Sequence, residues 1–264
     1  MGATVNSNTT SQQSVFGGAA FDQWANREAD RATLNTKEKF LTERFFDKDG
    51  PTLDGGTGGG RVLYALQKQG FSKLYGFDFV AESIAAARKR DRLHVIRFDV
   101  MDATILDYEN NFFGQLIYAE QMICFLEEAA QRAAALQEAY RVLKTGGLAI
   151  FTTLLLKARR HSRLQSAFRQ HLWLLRKICG SERSGQCLPW LRLGGRWNWS
   201  ALIDHPPHNY WYRVNEFSQD LQTAGFHIEG IATDFQIKEK RLCPSAEVLA
   251  AEPLEGILYA VCRK

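Results

Sequence analysis

The chain has 264 residues, 45% of them hydrophobic and 23% charged, with a formal charge of +4. This is enough for one α/β domain of about 200 residues plus an elaboration, and no apolar run approaches the ~20 residues of a membrane span. The five cysteines (Cys124, Cys179, Cys187, Cys243 and Cys262) are scattered without CxxC spacing, which argues against a disulfide framework and a zinc site. No metal is expected. The N-terminus lacks a basic region followed by an apolar block, so a secretory signal is not indicated and cytoplasmic residence is the expectation.

Residues 1–16 are rich in Ser, Thr, Asn, Gln and Gly, the composition of a disordered tail. Phe21 to Phe46 reads as one or two helices, with Phe40, Leu41 and Phe45 at helical spacing. Pro51-Thr52-Leu53 then leads into Asp54-Gly55-Gly56-Thr57-Gly58-Gly59-Gly60, followed by the helical pattern Arg61-Val62-Leu63-Tyr64-Ala65-Leu66. Strand, tight glycine turn and helix form the local plan of a nucleotide site, because such a turn lets backbone N–H groups approach a ligand closely. The spacing decides which nucleotide. A dinucleotide fingerprint needs Gly at relative positions one, three and six, but Arg61 or Leu63 stands at the sixth. A P-loop needs Lys-Ser or Lys-Thr after the glycines, and neither follows.

Leu74–Asp78 predicts a second strand ending in an acid, and Ala81–Arg88 opens the next helix. Val95 to Ala103 predicts a third strand and the turn after it; Gln115–Ala119 predicts a fourth, followed by a helix from Glu127 to Leu143. Gly147–Leu156 is a continuous apolar run, as expected of a central strand buried on both faces. Alternation stops across 157–212 and resumes with a helix at Val214–Ala224 and two strands, Phe226–Phe235 and Gly256–Arg263.

Asp54, Gly56, Gly58 and Gly60 follow the acid-x-Gly-x-Gly-x-Gly spacing, and here the sequence resembles the class I S-adenosylmethionine (SAM)-dependent methyltransferases. Asp78 after the second strand, Asp102 after the third, and Arg141-Val142-Leu143-Lys144-Thr145-Gly146-Gly147-Leu148 before the fifth match the family in order. Thr145 replaces the usual Pro, and Gly114 or Gln115 stands where the family often has an acid. The resemblance implies an α/β fold: a seven-stranded, mostly parallel sheet with helices on both faces and an antiparallel last strand. Residues 17–156 and 213–264 would form the SAM-binding domain, its leading helices partly covering the cofactor pocket.

The resemblance also implies a cofactor set of Asp54, Gly55, Gly56, Gly58, Gly60, Asp78, Phe79, Met101, Asp102, Ala103, Ala119 and Glu120. Asp78 would accept the ribose hydroxyls, Asp102 would take the adenine amino group, and Glu120 would lie near the methionine end. SAM would be consumed and S-adenosylhomocysteine produced.

The insertion, 157–212, would lie above the carboxyl edge of the sheet as the acceptor segment. Arg141 to Lys177 holds nine basic residues and no acid, and five of the six tryptophans fall between Trp173 and Trp211. From Arg160 to Cys179, Leu164, Ala167, Phe168, Leu172, Leu175 and Ile178 recur as the apolar stripe of a basic amphipathic helix. Three readings stay open: a lid helix, a lid presenting Arg or His to an anionic acceptor, and reversible contact with a membrane surface. Arg160, Trp197, Trp199, Tyr210 and Trp211 are the candidate substrate-binding residues. His208 and His205 are the candidate bases, with Glu120 as a further acid/base candidate and His161 and His171 behind them.

The expected activity is methyl transfer to an oxygen or nitrogen of a small-molecule acceptor, anionic, aromatic or lipid-like. The alternatives are a non-catalytic SAM-binding sensor or partner protein and a methyltransferase acting on RNA or protein. Nucleic acid is not an expected partner, membrane contact is at most peripheral, and the sequence does not indicate an oligomeric state.

Overall fold

Strand and helix alternate from residue 52 to 154, except that no helix separates the strands at 96–100 and 113–118. The computed structural model describes residues 32–156, 163–193 and 195–264. The tail 1–16 and residues 21–31 of the expected leading helices lie outside the described residues. A first helix, α1 (Thr36–Phe45), starts at a capping box. Asn35 Oδ1 accepts the Glu38 N–H at 2.9 Å, and the Glu38 carboxylate accepts the Asn35 N–H at 2.9 Å.

There follow β1 (Thr52–Gly55), α2 (Arg61–Lys68), β2 (Leu74–Asp78), α3 (Ala81–Arg90), β3 (Ile96–Val100), β4 (Phe113–Tyr118), α4 (Ala129–Val142) and β5 (Leu143–Leu154). The insertion contributes α5 (Arg163–Ile178), β6 (Cys187–Pro189), β7 (Arg192–Leu193), β8 (Arg196–Trp197) and β9 (His208–Tyr210). The chain closes with α6 (Val214–Thr223), β10 (His227–Thr233), α7 (Asp234–Lys238), α8 (Ala246–Ala250) and β11 (Ile257–Arg263).

Seven strands form one sheet in the order β10-β11-β5-β4-β1-β2-β3. Neighbours from β5 to β3 pair in parallel, and only β11 runs antiparallel to both its neighbours. Strand order reverses at β1, which lies between β2 and β4, so a crevice opens at their carboxyl ends. Strand side chains alternate between two apolar layers. Leu116, Tyr118 and Phe151 face one layer with α4 and α6 residues, whereas Ile117, Ile150 and Val261 face the other with α2 and α3 residues.

The departures from the expected elements have local causes. β5 begins at Leu143 rather than Gly147, because Gly146 and Gly147 exchange backbone hydrogen bonds with Lys264 at the end of β11. Asp234 and Phe235, read as strand, begin α7, where Thr233 caps the helix. Gln115, standing where an acid is usual, is buried. Its amide donates to Asp47 O and Thr52 Oγ1 and accepts the Asp47 N–H, so it anchors the segment entering β1.

The insertion leaves and rejoins the sheet at one point. The Leu156 N–H donates to Tyr212 O and the Tyr212 N–H donates to Leu154 O, both at 2.9 Å. It therefore sits over the carboxyl end of β5, beside the crevice. In α5 the inward stripe differs from the expected one. Leu172 is buried and Ile178 is 74% exposed, while Arg176 is buried. Arg176 makes a bidentate ion pair with Asp204 at 2.6 and 2.7 Å and donates to the Ser184 and Cys187 carbonyls. A guanidinium with this many fixed acceptors can be buried at little net cost and pins α5 to the loop before β9.

Candidate active site

The glycine turn sits at the head of the crevice. Gly56, Gly58 and Gly60 have φ of +68°, +54° and +85°, the left-handed region. At Gly60 a Cβ would also lie 2.9 Å from the Tyr64 ring and 3.0 Å from the Phe98 ring, so packing demands glycine there as well. Gly58 is different: a Cβ would meet nothing within 4 Å, so this side of its backbone is open. Gly55 lies under the Tyr118 ring and Gly56 under Met122.

Asp78 closes this turn from β2. Its Oδ2 accepts the Gly58 N–H at 2.8 Å and its Oδ1 accepts the Val80 N–H at 2.9 Å. Burial pushes the Asp78 carboxyl above the usual range against the pull of the Val80, Gly58 and Phe79 N–H groups. The Met101 N–H donates to the Asp78 carbonyl at 3.0 Å, which brings the Met101-Asp102-Ala103 turn to the same rim. Asp102 Oδ1 accepts both the backbone N–H and hydroxyl of Thr104 at 2.8 Å, fixing the turn. Ala103 and Ala119 are buried, and Phe79 is half-buried.

Beneath the turn is an ion network that composition does not reveal. Arg61 donates to both oxygens of Glu38, at 2.8 and 2.7 Å, to the Thr33 carbonyl at 2.8 Å and to Glu120 at 2.5 Å. Arg61 and Glu38 are both buried. Glu120 and Gln121 have φ of 50° and 58°, a conformation uncommon outside glycine that clusters at functional sites. Thr152 supports the bend, accepting the Gln121 N–H at 2.9 Å and donating to the Tyr118 carbonyl at 3.1 Å.

Sequence reasoning missed Arg61, Glu38 and Met122. Arg61 carried a usable signal: a cation in the first turn of a helix opposes the helix dipole and needs an acid to hold it.

Asp54, fully buried in the same network, has its carboxyl pushed up to about 7 by burial, opposed by the Thr57 hydroxyl at 2.6 Å and the Arg61 charge. Between its unfolded value near 4 and about 7, the folded protein keeps a proton that the unfolded chain has lost. This group's contribution to stability is therefore greatest at the acid end and falls as pH rises through that window. Asp54→Asn is expected to remove that slope, worth up to about 4 kcal/mol in total. Thermal melts of both proteins between pH 5 and pH 7.5 check it, and parallel slopes would contradict the assignment.

The insertion residues are dispersed. Arg160 and His161 lie outside the described residues. Trp197 and Trp199 pack edge to face at 6.0 Å and are 48% and 73% exposed. Tyr210 is buried under the Arg132 guanidinium, 3.5 Å from its ring centroid; its hydroxyl donates to Glu216 in a short bond and accepts from Gln186. Trp211 is half-buried, its N–H donating to the Gln186 carbonyl. His205 is exposed, and His171 bonds the Leu202 carbonyl at 2.7 Å.

His208 does not open onto the crevice. Its side chain is wholly buried, with Nε2 3.1 Å from Asp204 and Nδ1 3.4 Å from Glu127. It ties β9 to the α5 anchor and to the start of α4. That placement suits a structural strut. A cleft of about 630 Å³ lies outside it, lined by Glu127, Arg132, Arg183, Cys187 and Tyr210 among others.

The methyltransferase-domain family matches residues 53–151, the span from β1 to β5 that carries the glycine turn, Asp78 and Asp102. The chain has the fold of the class I SAM-dependent methyltransferases. Similar solved structures include a SAM-dependent methyltransferase from Methanosarcina mazei, 16% identical with a TM-score of 0.64, covering 88% of this chain and 98% of that one. A second is from the Haloferax volcanii complex between the Trm112 methyltransferase activator and a methyltransferase (19%, TM-score 0.57, 92% and 95%). A third is a SAM-dependent methyltransferase from Mesorhizobium loti (16%, TM-score 0.56, 87% and 98%). No curated protein matches the chain.

Similar structures are SAM-dependent methyltransferases, and the residues at the crevice suit that cofactor. The open side of Gly58 admits a ligand against the backbone, and the Asp78 carboxylate stands at the same rim. All five cysteines are free, and among the described residues there is no cluster able to hold a metal ion and no helix long and apolar enough to cross a membrane.

Proposed function

We propose that the protein transfers the methyl group of SAM to an oxygen or nitrogen of a small-molecule acceptor held between the crevice and the insertion. The observation that carries this reading is the position of the insertion, stitched to the sheet at Leu154–Leu156 and Tyr212 beside the crevice that Gly58 and Asp78 border. A protein that only sensed SAM would need no second wall over the strand ends.

Asp78 would hold the ribose and the Met101-Asp102-Ala103 turn the adenine. When bound, SAM supplies a methyl group on a positively charged sulfur, displaced by an acceptor lone pair to leave S-adenosylhomocysteine. Glu120 would hold the ammonium end. Its carboxylate is already paired with Arg61, which holds it at the bend after β4. His205, exposed on the insertion, would serve as the base. The insertion's walls would exclude water and align the acceptor with the S–CH₃ bond.

The test is release of S-adenosylhomocysteine on incubation with SAM and a fractionated small-metabolite extract. Release that depends on one small-molecule fraction supports the reading. Tight SAM binding without release in any fraction would favour a sensor, and release dependent on RNA or protein would favour a macromolecular acceptor.

A further inference from the structure

The insertion has a charge unlike the rest of the chain. Residues 157–212 carry ten Lys and Arg against only Glu182 and Asp204, a formal +8, which leaves −4 for the remainder. Asp204 pairs with Arg176 and Arg183, and Arg183 also pairs with Glu127, so the rest of the insertion's charge is almost wholly positive.

Its outward face is also apolar. Seven of the twelve large hydrophobic side chains exposed among the described residues lie here: Trp173, Leu174, Ile178, Trp197, Trp199, Leu202 and Ile203. The insertion is only 56 of the 264 residues. Leu172 and Arg176 define the buried side of α5, so Trp173, Leu174 and Ile178 span the opposite side. His171, three and seven residues before Leu174 and Ile178 on the same stripe, bonds the Leu202 carbonyl at 2.7 Å. That contact places the apolar side of α5 next to the 3₁₀ turn Trp199–Ile203, where Trp199 and Ile203 are 73% and 70% exposed. On the other flank of α5, a cleft of about 550 Å³ is lined by Ser166, Arg169, Gln170, Trp173, Lys177 and Arg183 among others.

We propose that this face docks reversibly on an anionic lipid surface, with Trp173, Ile178, Trp199 and Ile203 entering the headgroup boundary and the cleft beside Arg169 and Lys177 receiving lipid phosphate. Exposed tryptophan and aliphatic side chains beside Lys and Arg are the pattern of an interfacial helix. Charge complementarity selects the occupant. A second copy of the chain would bring two strongly positive faces together. Single-stranded nucleic acid would use the tryptophans for stacking but has no use for Leu174, Ile178, Leu202 and Ile203. An anionic bilayer satisfies both components. This inference stands whether the acceptor is membrane-borne or free.

Flotation of the full chain with vesicles tests it, comparing pure phosphatidylcholine with an equimolar mixture of phosphatidylcholine and phosphatidylglycerol. Binding to the mixed vesicles should be at least about tenfold stronger and should fall as salt rises. Lys177→Gln should weaken it about fivefold, and the triple variant Trp173→Ala, Ile178→Asp, Ile203→Asp at least about tenfold. SAM affinity by calorimetry and the melting temperature should stay at wild-type values in both variants, which separates this outcome from any failure of methyl transfer. Equal binding to both vesicle types, wild-type binding by the triple variant, tighter binding to single-stranded RNA, or a dimer that buries this face would each overturn the proposal.

Discussion

Arg61→Ala is expected to lower stability by about 3–5 kcal/mol, the cost of leaving a buried ion without its partner. Arg61 and Glu38 have side-chain exposures of 10% and 3%, and the pair is bidentate. Removing the guanidinium strands the Glu38 carboxylate, frees the Thr33 carbonyl and releases Glu120 from the bend after β4. In a domain of this size the loss should appear as a fall of about 10 °C in melting temperature. Arg61→Lys keeps the charge but not the two-pronged geometry, so it should recover less than half of the loss. Arg61→Met combined with Glu38→Gln should recover more, because no buried charge is then left unpaired. A loss below about 1 kcal/mol for Arg61→Ala would show that the pair is not buried as described. Because Arg61 joins α1, the glycine turn and Glu120, its loss should also weaken SAM binding at temperatures where the protein remains folded.

That network shows why the glycine turn and its acids are legible in sequence while the residues that support them are not. Gly56, Gly58 and Gly60 are short-range signals, forced by backbone dihedrals within one turn, and Asp78 and Asp102 follow strands whose apolar patterns are local. Leu74–Asp78 is the same strand in sequence and structure for that reason. Glu38 and Arg61 are 23 residues apart, and nothing local joins them. The same limit applies in the insertion. The periodicity of α5 puts Ile178 on its apolar stripe, but Arg176 is buried because Asp204, 28 residues on, pairs with it, and Ile178 is exposed. His208 attracted a catalytic reading because imidazole titrates near neutrality, yet its chemistry is decided by Glu127 and Asp204, which enclose it. The five-residue helices α7 and α8 and the two- and three-residue strands of the insertion are too short to show a period.

Asp78→Ala should cut SAM affinity about a hundredfold or more. A carboxylate that accepts hydroxyl hydrogen bonds contributes about 1.5–3 kcal/mol for each, and the ribose offers two such groups. The variant has a second effect, because Asp78 also accepts the Gly58 and Val80 N–H groups. Without it the turn whose open side meets the ligand loses the contact that fixes Gly58. Asp78→Asn separates the two contributions: the amide oxygen can still accept one N–H, but the negative charge is gone. Its affinity should fall between those of wild type and Asp78→Ala, with a melting temperature closer to wild type. Calorimetric titration with SAM, and with S-adenosylhomocysteine, which keeps the ribose but lacks the sulfonium charge, reads the effect directly. If Asp78 acts on the ribose, both ligands should lose affinity by the same factor. A loss confined to SAM would instead mean that Asp78 senses the positive sulfur, and an unchanged affinity for both would remove it from the cofactor site.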